Sequence, residues 1–175
     1  MPVLAQVKIG VIASSSGPTA FVGIPQKNAV ALLPKKAGNL NIEYVVFDDA
    51  SDSTQSVQLT KKLLSETKID ALIGPSGSPN AMGVLGFMAE GKTPMLAPVG
   101  TPAVVQPMDD KKRWVFKTHP NDDVISEGLI AAMKKRGVKT IGFIGYNDPY
   151  GESWYKVFSP MAKAAGIEIV ANERY

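Results

Sequence analysis

Short apolar runs rich in β-branched residues recur along this chain, each separated from the next by a helix-length stretch. They lie at 6–13 (QVKIGVIA), 42–47 (IEYVVF), 69–73 (IDALI), 94–97 (PMLA), 114–117 (WVFK), 140–144 (TIGFI) and 167–170 (IEIV). Their hydrophobicity is nearly continuous rather than alternating, as expected of strands covered on both faces. Between them Ala81, Val84, Leu85 and Met88 recur at helical spacing. So do Ile125, Leu129, Ala132 and Met133, and then Trp154, Val157, Phe158 and Met161. Asp52 or Ser53, Ser78-Pro79 and Asn121 are start signals, and Gly38, Gly91, Gly137 and Gly166 are stop signals. This alternation predicts an α/β fold built on a doubly wound parallel sheet.

Residues 107–123 (PMDDKKRWVFKTHPNDD) interrupt the rhythm with charge and proline. They read as a last strand flanked by loops. The expected organisation is therefore a first α/β lobe over 1–120 and the beginning of a second over 121–175. Pro34 and Pro160 fall inside the helices expected at 25–37 and 151–165, where each would remove a backbone hydrogen bond.

Composition narrows the function. The net charge is only +3. The basic groups Lys35-Lys36 and Lys134-Lys135-Arg136 precede Gly38 and Gly137, where cations complement the negative end of a helix dipole. No stripe of basic and aromatic residues accompanies them, so nucleic acid is not expected as a partner. With no cysteine and a single histidine, His119, the sequence has no metal-ligand spacing. Phosphate-loop and dinucleotide fingerprints are missing, and no cofactor is expected. Asp48-Asp49 reads as a pair of capping carboxylates in preference to a Mg²⁺ site. No run reaches the roughly 20 apolar residues that span a bilayer. Val3-Leu4-Ala5-Gln6 resembles the tail of a signal-peptide cleavage site.

In open parallel sheets, ligands sit beyond the carboxyl ends of the strands. The exits here are Ser14-Ser15-Ser16-Gly17-Pro18, Asp48-Asp49, Gly74-Pro75-Ser76-Gly77-Ser78-Pro79 and Pro98-Val99-Gly100-Thr101-Pro102. Apart from the aspartates, these exits carry hydroxyls and glycines without charge. Amide N–H groups at a helix start, aided by serine and threonine hydroxyls, form an anion site that needs no cationic side chain. The turns 76–78 and 99–101 are expected to converge on one negatively charged small solute. A hydrolase pairing Ser76 with His119 is the enzymatic alternative; no Gly-x-Ser-x-Gly elbow supports it.

The order of motifs resembles a known family. Lys8-Ile9-Gly10-Val11, Ser16-Gly17-Pro18, Phe47-Asp48-Asp49, Ile73-Gly74-Pro75, 93–98 (TPMLAP), Phe116-Lys117-Thr118 and Tyr150-Gly151 are similar to those of leucine/isoleucine/valine-type periplasmic solute-binding proteins of ABC transporters. The resemblance covers residues 7–175. It implies the type I fold, with two lobes closing on a ligand, no catalysis, a periplasmic location after signal-peptide removal, and a membrane permease as partner. It also assigns ligand contacts to Ser76, Gly77, Ser78, Val99, Gly100, Thr101, Phe21, Asp122 and Tyr150. Val22 stands where the family commonly has tyrosine, and Pro34 is unusual for its first helix. The family's chains are longer, and the acidic residue that neutralises a ligand ammonium lies beyond this sequence. The expected ligand is thus a carboxylate, either an amino acid or an aromatic or other organic acid. The C-terminal half, or a swapped copy of this chain, is expected to complete the fold. A ligand-sensing regulatory domain of the same fold is the alternative.

Overall fold

The computed structural model describes residues 6–175, so the expected cleavage-site tail at 3–5 lies outside the described residues. The chain divides into two compact units. One holds the residues up to Val99 together with Val104–Thr118; the other holds Gly100–Ala103 and His119–Tyr175.

The first unit contains β1 (Gln6–Ile12), α1 (Ala20–Ala31), β2 (Lys36–Ala37), β3 (Leu40–Phe47), α2 (Ser53–Lys62), β4 (Ala71–Ile73), α3 (Ser78–Glu90), β5 (Met95–Ala97) and β6 (Val115–Lys117). A π-helical turn, Leu63–Thr67, extends α2. The sheet runs β2-β3-β1-β4-β5-β6, parallel except for the β2–β3 pair. Register assigns its two faces. Val45, Gly10, Leu72, Met95 and Val115 form one row, on the face that packs with Leu63, Val84, Leu85 and Met88 in the core. Val46, Val11, Ile73, Leu96 and Phe116 form the row on the other face. On that second face Phe116 remains 58% exposed.

The second unit holds α4 (Asp122–Lys135), β7 (Thr140–Gly145), α5 (Pro149–Ala164) and β8 (Glu168–Arg174). Its strands β7 and β8 pair in parallel. Ile130, Phe158, Ala162 and Ile167 make its buried core, with Ile141, Phe143 and Trp154 packed against them. Ile144 and Val170 stay 69% and 62% exposed.

Helix boundaries follow capping chemistry. Asp52 accepts from the N–H groups of Thr54 (2.6 Å) and Gln55 (3.1 Å) to open α2. Asp148 does the same for Tyr150 (2.8 Å) and Gly151 (3.0 Å) at α5. Lys134 and Lys135 occupy the last turn of α4, before Gly137, as expected.

One region departs from expectation. The first helix spans 20–31 rather than 25–37, so Pro34 follows it, and the proline inside it is Pro25. A proline disfavours helical backbone in the residue before it, consistent with the early end. Lys35, Lys36 and Gly38, which imitate a basic helix terminus, belong instead to the β2–β3 hairpin. Gly38 stands at its turn with φ of +57°, the sign a tight hairpin turn requires. Pro160 does lie within α5, on an exposed position where water can reach the carbonyl it leaves unbonded.

Candidate functional site

The carboxyl ends of β1, β3, β4 and β5 form one edge of the first unit's sheet. Strands β4 and β5 are neighbours, joined by Leu72 N–H to Pro94 O and Gly74 N–H to Leu96 O, each 2.9 Å. The turn 76–78 and the segment at Pro98-Val99 therefore leave the sheet side by side.

Ser76 is buried and fully engaged. Its hydroxyl donates to Gln26 Oε1 (2.5 Å) and accepts from the Ser14 N–H (3.0 Å). Gln26, on α1, also donates through Nε2 to Pro98 O at 3.5 Å. Gly77 is the N-cap of α3, in extended conformation. Ser78 opens that helix as a largely buried residue, and its hydroxyl, which keeps contact with solvent, makes no hydrogen bond among the described residues. The first turn of α3 carries no acidic residue. Its unfilled amide donors and positive dipole end thus face no internal carboxylate on that helix. Val99 packs its side chain into the core. Phe21, at the start of α1, is 67% exposed.

Below these turns lies a polar knot. Asp49, wholly buried, accepts from Ser14 Oγ (2.6 Å), Ser51 N–H (3.1 Å), Ser56 Oγ (2.6 Å) and Asn80 Nδ2 (2.8 Å). The adjacent Asp48 is exposed. It accepts from the N–H groups of Ser15 (3.0 Å), Ser16 (3.3 Å) and Ala50 (2.9 Å). Burial alone would raise its pKa; the hydrogen bonds from Ala50, Ser16 and Ser15 outweigh it and hold the carboxyl below its usual range. The two aspartates serve the protein's own loops, which accounts for both without a metal.

The second unit gathers the other expected residues. Thr101 is buried, and its Oγ1 accepts from the Ala103 N–H at 3.2 Å. Gly100 lies against Tyr150 and Asp122: a Cβ there would stand 2.7 Å from Tyr150 Cε2 and 3.3 Å from Asp122 Oδ1. A side chain there would have to push that ring aside. Asp122, buried at the first position of α4, accepts from Ser153 Oγ at 3.1 Å. Tyr150 is half-buried on α5, its ring 6.3 Å from that of Tyr146. Burial is the main cause that raises the Tyr150 pKa. A hydrogen bond with Trp154 opposes it, and the charges of Asp122 and Asp148 add to it. His119 Nδ1 lies 3.0 Å from the Pro120 carbonyl oxygen.

An open groove of about 550 Å³ is found elsewhere, between α5 and the start of β8, lined by Tyr155, Ser159, Lys163 and Ile167. It sits at the amino end of β8, toward the opposite end of α5 from Tyr150. The chemistry described above does not reach it.

Sequence reading missed Gln26, Asn80 and Ser153. Each acts through a partner distant along the chain, and no local pattern marks it.

The sequence signature of periplasmic binding proteins matches residues 6–175. The chain belongs to the periplasmic binding protein family. Solved members share its fold closely. An extracellular ligand-binding receptor from Rhodopseudomonas palustris HaA2 is 42% identical, with a TM-score of 0.93 over 98% of this chain and 47% of its own. A solute-binding protein of an R. palustris ABC transporter, solved with 4-hydroxybenzoate, is 26% identical, with a TM-score of 0.85 over 97% of this chain and 47% of its own. The leucine-binding protein LivK of Thermotoga maritima shares the fold at 19% identity and a TM-score of 0.88, over 97% of this chain and 49% of its own. This periplasmic binding protein chain thus spans about half the length of these relatives. Its type I α/β architecture, with a mainly parallel sheet, is that of the family. The family's members bind ligands rather than transform them. Among the described residues no helix is long and apolar enough to cross a membrane.

Proposed function

We propose that this chain belongs to an extracytoplasmic solute-binding receptor of an ABC transporter, without enzymatic activity, whose ligand is a small carboxylate. The observation that carries this reading is the start of α3. There the Ser78 hydroxyl, solvent-reachable on an otherwise buried residue and without a protein partner among the described residues, adjoins a helix N-terminus free of acidic side chains. An anion placed there would meet amide donors, a hydroxyl and the positive dipole end together. Gly77 and Ser78, held in place by Ser76, form the first unit's contribution with the backbone of Val99, and Phe21 offers an exposed ring. The family resemblance adds Gly100, Thr101, Asp122 and Tyr150 of the second unit as ligand contacts.

An aromatic acid is the favoured class. The 26%-identical neighbour holds 4-hydroxybenzoate, and Phe21 and Tyr150 are suited to a ring. Asp122 could accept from a ligand hydroxyl or ammonium. Calorimetry with 4-hydroxybenzoate and with leucine separates the two classes. Loss of the Ser78 or Thr101 hydroxyl should weaken carboxylate binding by about 1–3 kcal/mol. Unchanged affinity in both Ser78→Ala and Thr101→Ala would refute the carboxylate site.

Capture of the ligand would shift the receptor toward a closed form that a membrane permease reads. The exposed apolar residues Leu96, Phe116, Ile144 and Val170 support a further partner: the C-terminal half of the protein or a swapped copy of this chain. Light scattering that found the isolated chain a well-folded monomer would argue against that partner.

A further inference from the structure

The polarity of the Ser76 hydroxyl is dictated by backbone groups around it. A proline has a carbonyl but no N–H, so the end of the Gln26 amide that bonds Pro98 must be Nε2, as observed at 3.5 Å. Oε1 is then left facing Ser76, whose hydroxyl donates to it at 2.5 Å. The Ser14 N–H fills one lone pair of Ser76 Oγ at 3.0 Å. A hydroxyl carries one hydrogen, and here that hydrogen is committed to Gln26.

We infer that Gln26 is a positioning residue. Its amide ties the exit of β4, at Ser76, to the exit of β5, at Pro98, and holds Ser76 as an acceptor only. Within the turn 76–78, Ser78 is then the hydroxyl that donates to a ligand carboxylate, and Ser76 sets the spacing at which it does so. This rests on the carboxylate reading above, and it separates two serines that the sequence presents as equivalent.

The test is Gln26→Glu. A neutral glutamic acid reproduces the glutamine, since its carbonyl accepts from Ser76 and its O–H donates to Pro98 O. An ionised glutamate turns acceptors and a negative charge toward the Pro98 carbonyl. Asp49 lies one residue removed, through Ser14 Oγ (2.6 Å), and its charge adds to the effect. Both raise the introduced carboxyl above its ordinary pKa of about 4.3. A group raised in the folded state stabilises below its unfolded pKa and loses that contribution as pH rises through the folded value.

The melting temperature of ligand-free Gln26→Glu should therefore fall short of the parent at pH 7.5 and approach it at pH 5. A deficit that stays constant over that range overturns the relay. The second measurement is the Kd for 4-hydroxybenzoate relative to the parent at the same pH. It should be about tenfold weaker at pH 7.5 and within about twofold at pH 5. Gln26→Leu and Ser76→Ala should lose affinity equally, and the double variant should be no weaker than the worse single one. Multiplying losses would show that Ser76 meets the ligand directly and would overturn the assignment. A parent protein that ignores 4-hydroxybenzoate counts against the functional reading instead, while the melting comparison still decides the relay.

Discussion

The helices of the two units begin differently. In the first unit α1 and α3 carry no acidic residue in their opening turns. In the second, α4 opens on Asp122 and Asp123, and α5 opens behind Asp148 with Glu152 in its first turn. A carboxylate at a helix start neutralises the dipole and fills the amide donors that an external anion would use. In the first unit α1 and α3 thus keep their positive ends available, α2 being capped by Asp52, whereas both helices of the second open on carboxylates. Under the proposed function the contrast gives the two units opposite chemical preferences: an anion for α3, and a hydroxyl or cationic group for the neighbourhood of Asp122.

Their buried cores differ in size too, and the molecule offers a means to follow each. Trp114 belongs to the first unit and Trp154 to the second, so single-tryptophan variants report the two separately. The largest effect is expected in the smaller core. Phe158→Ala should cost about 3–5 kcal/mol and abolish the Trp154 transition in urea while the Trp114 transition keeps its midpoint. If both transitions move together, the units are not independent.

Next comes Asp49→Ala, which strands the donors of Ser14, Ser56 and Asn80. We expect a loss of about 3 kcal/mol on the Trp114 probe. A loss near zero would mean that water replaces the carboxylate. Gly38→Ala is milder, about 1 kcal/mol on the same probe, because alanine tolerates the left-handed turn poorly. An unchanged midpoint there would show that the hairpin is dispensable.

The smallest effect is a pH dependence. The folded pKa of Asp48 is depressed, so its contribution is present above the unfolded value of about 3.9 and is lost as pH falls through the lower folded value. Asp48→Asn should therefore flatten part of the acid limb of the first unit's stability curve below pH 4. An identical limb in parent and variant would remove Asp48 from the account.

Much of this architecture is legible in the linear chain. Continuous apolar runs marked the parallel strands, and Asp52, Gly137 and Gly166 marked helix ends, because strand burial and capping are local in their causes. The stretch from Ser76 to Pro79 was readable as an acid-free helix start for the same reason. The hairpin at Gly38 was not legible. Lys35, Lys36 and a following glycine are also how a helix ends, and only the pairing of β2 with β3 decides between the two. Gln26 was invisible in a stronger sense. Its partners lie 50 and 72 residues away, and a glutamine within a helix signals nothing until the sheet brings Ser76 and Pro98 beneath it. Asp122 and Tyr150 entered through family resemblance; their proximity to Gly100 is a tertiary fact.

The buried Asp49 has one further consequence. It draws on Ser14 beyond β1, Ser51 beyond β3, Ser56 on α2 and Asn80 on α3, so the floor beneath the α3 turn is rigid before any solute arrives. Under the proposed function, capture would freeze little additional backbone, and more of the contact energy would be retained as affinity. A guest of modest size, with few atoms to offer, gains most from such a host.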